Sequence, residues 1–275
     1  MKTDAEAILS IENADKRKPI LPAFAIGAVA GFGGGLASLG GGTLIIPLLM
    51  GWLHLSPLQA RGAAMATSLF SAGMGIAIYA RHGMIDLPVA AWVAVPSFFL
   101  APLLAARTEQ WSARRLKAGF GLVVAIGGAL VIFKDELTAG LIADGHWKTL
   151  WLLGMGIIEG AVSGIIGISG GPVLAPLFVL GLGMPQQLAQ GCSLAARLPA
   201  VISGTWENAR LGNIRWALIP ALAGGALPGA WVGSRIALYL PERGLRIGFG
   251  LLLIVLGVHY LRGGGEHEHR PWKRP

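Results

Sequence analysis

The chain has 275 residues, 54% of them hydrophobic and only 13% charged, with a net charge of +8, a mean hydropathy of +0.64 and a single cysteine, Cys192. A soluble domain carries about 25% charged residues to keep its surface solvated, so this composition excludes an ordinary globular enzyme or binding domain. One cysteine excludes an internal disulfide, and positive charge beside apolar segments sets membrane orientation rather than pointing to nucleic acid.

Residues 1–18 are polar, mixed in sign and end in Lys16, Arg17 and Lys18. They lack the apolar region and cleavage site of a signal peptide and read as a short cytoplasmic extension. From Pro19 to Ala60 there is no Asp, Glu, Lys or Arg. Inside that run stands GFGGGLASLGGGTLIIP, residues 31–47, where seven of 17 positions are glycine. Each glycine costs a helix interior roughly 1 kcal/mol relative to alanine. The stretch divides into a segment 21–38, the cluster Gly40–Gly42, and a segment 43–53. Eleven residues of helix rise only about 16 Å, too little to cross a bilayer. The stretch is therefore either one kinked span or a hairpin of half-helices meeting near the bilayer centre.

Three helices are predicted next, at 57–81, 87–107 and 112–133, each built on a charge-free window. A polar linker, 135–147, leads to a second glycine-broken stretch at 149–181, then to helices at 186–209, 215–236 and 243–261. The tail 263–275 is basic and disordered in composition; its His267 and His269 would hold a metal only weakly.

Displacement by 129 residues lays the chain on itself. Gly31 and Gly35 fall on Gly160 and Gly164, Gly41-Gly42 on Gly170-Gly171, Pro47 on Pro176, and Gly62 on Gly191. Gly83-Met84-Ile85 falls on Gly212-Asn213-Ile214, and Leu116-Lys117 on Leu245-Arg246. Chance similarity of apolar text does not keep glycines, a proline and a basic residue in one register. The fold class expected is an all-α polytopic membrane protein of two homologous repeats, 19–134 and 148–262, each a glycine-broken stretch plus three transmembrane helices. With the stretch as a hairpin, the N-terminus, the loop with Arg107, Arg114, Arg115 and Lys117, and the C-terminus share the cytoplasmic face. Arg235, Arg243 and Arg246 then lie outside, so the charge vote for the hairpin is narrow. That reading makes the repeats inverted.

A helix break at membrane depth frees backbone groups that only protein or a water-filled cavity can satisfy. Paired breaks in two repeats mark the substrate site of many transporters. Helix starts after Gly41-Gly42 and after Ser169-Gly170-Gly171-Pro172 would offer N–H groups to an anion. Candidate binding residues are Gly41, Gly42, Thr43, Ser68, Ser169, Gly170, Gly171 and Arg197. Arg197 falls near mid-membrane, where an arginine costs at least ~2.5 kcal/mol on insertion scales. Its alternative is a structural ion pair with Glu159, which is also the candidate carrier of a coupling proton. Cys192-Ser193 is expected to line the same cavity, and Glu207 and Arg210 to be interfacial. The spacing of Gly27, Gly31, Gly35, Gly160 and Gly164 reads as close helix packing.

GFGGGLASLGGGTLIIPLL, its echo GAVSGIIGISGGPVLAPLF, the openings GAAMATSLF and GCSLAARLP, and the ending LRIGFGLLLIVLGVHYL resemble the sulfite exporter TauE/SafE family of membrane permeases. The resemblance covers nearly the whole chain. It implies a multi-pass protein of the plasma (inner) membrane that exports small anions, sulfur oxyanions and organosulfonates among them. No P-loop, HEXXH, GXSXG or cysteine pair occurs, so neither catalysis, a cofactor nor a metal is expected. The partners expected are a small anion and the lipid bilayer, with no nucleic acid; a homo-oligomer is left open. The reading is a secondary transporter working by alternating access. Its alternatives are an uptake permease or channel on the same scaffold, and a membrane subunit that transports nothing.

Overall fold

The computed structural model describes residues 20–39, 42–105, 113–135, 145–166 and 170–262. Among them every regular element is helical. The helices are α1 (Ile20–Ala37), α2 (Gly42–Trp52), α3 (Pro57–Arg81), α4 (Leu87–Ala105), α5 (Ala113–Ile132), α6 (His146–Ile166), α7 (Gly171–Gly181), α8 (Gln186–Arg210), α9 (Ile219–Tyr239) and α10 (Glu242–Leu261). Five segments, Ile20–Ala37, Pro57–Arg81, Leu87–Leu104, Trp216–Tyr239 and Glu242–Leu261, are long and apolar enough to cross a membrane. Leu21, Trp92, Phe99, Val123 and Val255 are exposed on helix faces, the surface a bilayer would cover. Local chemistry sets the helix starts. Ser56 caps α3, its Oγ accepting from Gln59 N at 3.3 Å, and Pro57 follows as a first-turn residue.

Small residues decide which helices pair. A Cβ at Gly27, Gly31 or Gly35 of α1 would overlap the backbone of Leu222, Ala226 or Ala230 of α9, so these two helices run parallel in close contact. In the same way Gly156, Gly160 and Gly164 of α6 lie against Val93, Ser97 and Ala101 of α4. Helices α3 and α8 are antiparallel: Gly75 meets Leu194, and Gly204 meets Met65. So are α5 and α10, with Gly121 on Gly257 and Gly128 on Gly250. Each contact becomes another observed contact when one partner is raised, and the other lowered, by the register of the sequence. Gly27–Leu222 maps onto Gly156–Val93, Gly75–Leu194 onto Gly204–Met65, and Gly62–Asn213 onto Gly191–Met84.

The choice between kinked span and hairpin is settled by where the short helices end. Gly181, the last residue of α7, is packed on the Trp151 ring near the start of α6. Ile45, Leu49 and Leu55 share one core with Ala23 and Ile26 of α1 and with Ile219 and Leu222 at the start of α9. Both short helices thus fold back toward the face from which their partners entered. The deep ends meet: Ala37 and Leu39 share a core with Val173, Leu174 and Ala196. Ile20, the start of α5 and Leu261 all lie at the face where α8 ends.

Candidate functional site

The site is built from two breaks and the middle of α8. After α1, Ser38 adopts φ 51°, a left-handed conformation that non-glycine residues seldom take. Its carbonyl oxygen lies against Gly171, the first residue of α7, where a Cβ would overlap it. The same Cβ would come within 3.2 Å of Arg197 Nη1. At Gly170 a Cβ would collide with the Glu159 carboxylate. Glycine is needed at 170 and 171 for these close approaches, beyond any demand of helix packing.

Glu159 and Arg197 are buried, 1% and 0% exposed, and each is a charged neighbour of the other. Gly170 N donates to Glu159 Oε1 at 3.2 Å. A carboxylate of the protein itself therefore occupies the N-terminus of α7, where the unpaired N–H groups and helix dipole favour negative charge. Gly170 caps α7 through its carbonyl, which accepts from Val173 N at 2.8 Å and Leu174 N at 3.0 Å, and Pro172 brings no N–H. Few donors remain, so Glu159 and an incoming anion would compete for the same ones.

The structure places the remaining sequence candidates unevenly. Thr43 and Ser68 are buried, 2% exposed each. Thr43 Oγ1 donates to Leu39 O and Ser68 Oγ to Ala64 O, both at 2.8 Å, the helix back-bonding habit of hydroxyl residues. Either would have to exchange that bond to reach an anion. Gly42 opens α2. Gly41, Ser169, His267 and His269 lie outside the described residues. Cys192 requires a correction: its Sγ accepts from Asp86 N at 3.2 Å, so it faces the α3–α4 turn and not Arg197's side of the helix. Five residues of α8 turn through about 500°, which carries positions 192 and 197 to different faces; Ser193, four residues from Arg197, shares its face. Arg210 and Glu207 form an exposed pair at 4.0 Å, as their interfacial reading expects.

Sequence reasoning missed the groups that cover the carbonyl ends of the broken helices. The last four carbonyls of a helix have no intrahelical donor, and their negative dipole end would repel an anion. Arg61 Nη2 of α3 donates to Gly164 O, in the last turn of α6, at 3.1 Å. Tyr79 Oη shares its proton between Gly35 O, in the last turn of α1, at 3.1 Å and Gln190 Oε1 at 2.7 Å. Gly35 and Gly164 are register equivalents, as are Arg61 and Gln190. The signal lies in that register, with Arg61 at the very edge of the charge-free window on which α3 is built.

At one face of the bundle, Lys134 Nζ donates to Met184 O at 2.9 Å and lies 3.6 Å from Glu242. Arg246, 2% exposed, pairs with Asp135 and, at 3.6 Å, with Glu242. The hydrogen bond and charge of Arg246 hold the exposed Asp135 carboxyl below its ordinary range.

Re-entrant helix pairs in a multi-pass helical bundle, with a buried charge pair at their meeting point, are the arrangement that secondary transporters use. The family model for the sulfite exporter TauE/SafE matches residues 16–260, and the chain belongs to that family. It is 26% identical over 245 residues to a probable membrane transporter protein of Xylella fastidiosa (strain Temecula1 / ATCC 700964), covering 86% of this chain and 92% of that one. A probable membrane transporter protein of Haemophilus influenzae is 26% identical over 268 residues, covering 87% and 97%. The probable membrane transporter protein YunE of Bacillus subtilis is 20% identical over 264 residues, covering 87% and 96%.

Proposed function

We propose that the protein is a secondary transporter exporting a small sulfur-containing oxyanion or organosulfonate across the inner membrane, with its N-terminus in the cytoplasm. Two inverted repeats, supported by the exchange of contacts between the halves, would present the site alternately to each face. The observation that carries the reading is the Glu159 carboxylate on the Gly170 N–H beside Arg197, with Ser38 of the other break against Gly171. Arg197 compensates the anion's charge, which a guanidinium does through paired N–H bonds. Glu159 yields its seat when it takes a proton, so anion and proton movement are coupled. The Gly170 and Gly171 amides, with Gly42 and Thr43 of the first break, complete the donor set.

The test is flux of sulfite, thiosulfate and sulfoacetate in proteoliposomes, with and without a pH gradient. Arg197→Ala should abolish flux and Arg197→Lys retain a fraction of it, and Glu159→Gln should transport without responding to the gradient. Wild-type rates in both arginine variants would remove Arg197 from the site, and an unchanged gradient response in Glu159→Gln would remove the coupling role.

A further inference from the structure

Among the described residues the longest helices are α3 and α8, 25 residues each, yet α8 is not among the segments apolar enough to cross a membrane by itself. Its polarity is ordered. Gln186, Gln190, Ser193 and Arg197 follow one another at intervals of four, three and four residues, which places all four on one face of a helix. All four are 0% exposed. Gln186 Nε2 and Oε1, Gln190 Nε2 and Ser193 Oγ make no hydrogen bond to any described residue. Ser234 Oγ of α9, close to Gly35 and Gly75, is in the same state.

The other half of that face is different. Beyond Arg197 it carries Val201, 2% exposed, then Gly204, packed on the Met65 side chain, and Asn208. Asn208 is satisfied: Nδ2 donates to Gly204 O at 2.8 Å and its Oδ1 accepts from Asn213 Nδ2 at 3.3 Å. Thr205 Oγ1 also lacks a described partner, but the helix turn sets it about 100° from Gly204. The half of the helix face before Arg197 thus carries polar atoms of Gln186, Gln190 and Ser193 that no described residue satisfies, and the half beyond it is apolar or paired and closed by Met65.

Buried polar side chains in a membrane protein are hydrogen-bonded or they line water. We propose that the N-terminal half of α8 lines a hydrated passage from the membrane face at Gln186 to Arg197. It is about 16 Å long, half the hydrocarbon thickness, and admits small hydrophilic anions. Neutral amide and hydroxyl groups hydrate an anion without holding it, while the guanidinium at the inner end draws it in. The passage rests on the reading of Arg197 as the anion site, and under that reading's orientation it opens outward.

The experiment is thiol accessibility in proteoliposomes, in a Cys192→Ala background carrying Gln190→Cys, Ser193→Cys or, as reference, Val201→Cys. The probes are two membrane-impermeant methanethiosulfonates, one bearing a sulfonate and one a trimethylammonium group. Positions 190 and 193 should react from the face where α8 begins at least about tenfold faster than 201, and, relative to each reagent's rate with a free thiol, faster with the sulfonate, because the Arg197 guanidinium at the inner end draws anions in. Reaction at 190 and 193 no faster than at 201, or only from the opposite face, overturns the passage. Because Gln190 holds Tyr79, the small change Ser193→Cys decides the matter if Gln190→Cys does not fold. Labelling that sulfite, thiosulfate and sulfoacetate all fail to slow would keep the passage and contradict the substrate reading. Absent labelling in a protein that still transports these anions would do the reverse.

Discussion

The carbonyl of Ser38, at the tip of one broken helix, rests directly on Gly171, the first residue of the helix that leaves the other break. The two breaks are therefore one structure, and any side chain at 171 must push backbone. Gly171→Ala should destabilise the protein by about 1–3 kcal/mol as an overpacked core does, and reduce flux more than its thermal stability loss alone explains. Purified Gly171→Ala with wild-type melting and wild-type flux would show that the contact is not demanded.

The carbonyl caps predict a split between two variants. Arg61→Met leaves Gly164 O without its donor at the end of α6, a loss of about 1–3 kcal/mol. It also exposes a negative dipole end beside the site, so apparent affinity for anion should fall. Tyr79→Phe removes a neutral bond to Gly35 O and frees Gln190, costing about 1 kcal/mol with a smaller effect on affinity. Melting curves and concentration-dependent flux check both; equal affinities in the two variants would contradict the dipole argument.

Glycines off the seams should behave oppositely to those on them. Gly31 is packed on Ala226, whereas a Cβ at Gly73, inside α3, meets nothing within 4 Å. Gly31→Ala should destabilise, and Gly73→Ala should be neutral or stabilising by up to about 1 kcal/mol. Thermal melts in detergent distinguish them.

Acid should loosen the cluster around Arg246. The Asp135 carboxyl is held below its ordinary value by Arg246, so its contribution is fully present above the ordinary carboxylate value of about 3.9. It is lost as pH falls below that, through the depressed value of the folded protein. Asp135→Asn should melt at a lower temperature than wild type near neutral pH, with the difference vanishing at strongly acidic pH.

Much of this architecture was legible because its causes are local. Charge-free windows located the helices to within a few residues, as at Pro57–Arg81 and Gln186–Arg210, and the glycine register marked the seams that later appeared as helix contacts. Re-entrance was less legible because Arg235 and Arg246 counted as free cations in the charge vote. In the fold Arg246 is neutralised by Asp135 and Glu242, and Arg235 lies 5.2 Å from the Trp231 ring. Of the candidate site, Arg197 was legible from the cost of its placement in a membrane, Glu159 as its ion-pair partner, and Gly170 and Gly171 from the helix break that recurs in register. Ser38, Arg61, Tyr79 and Gln190 were not. Their roles come from contacts between helices distant in sequence, such as Tyr79 on Gln190, which no local pattern displays.

The most direct measurement of the central claim is a structure of the protein in lipid with selenite, a heavier analogue of sulfite, located by anomalous scattering. The account predicts a selenium peak at the meeting of the two breaks, within hydrogen-bond reach of Arg197 and of the Gly170–Gly171 amides, and its loss in Arg197→Ala. A selenium peak elsewhere in a protein that transports selenite, or a peak at the breaks that persists in Arg197→Ala, would contradict it.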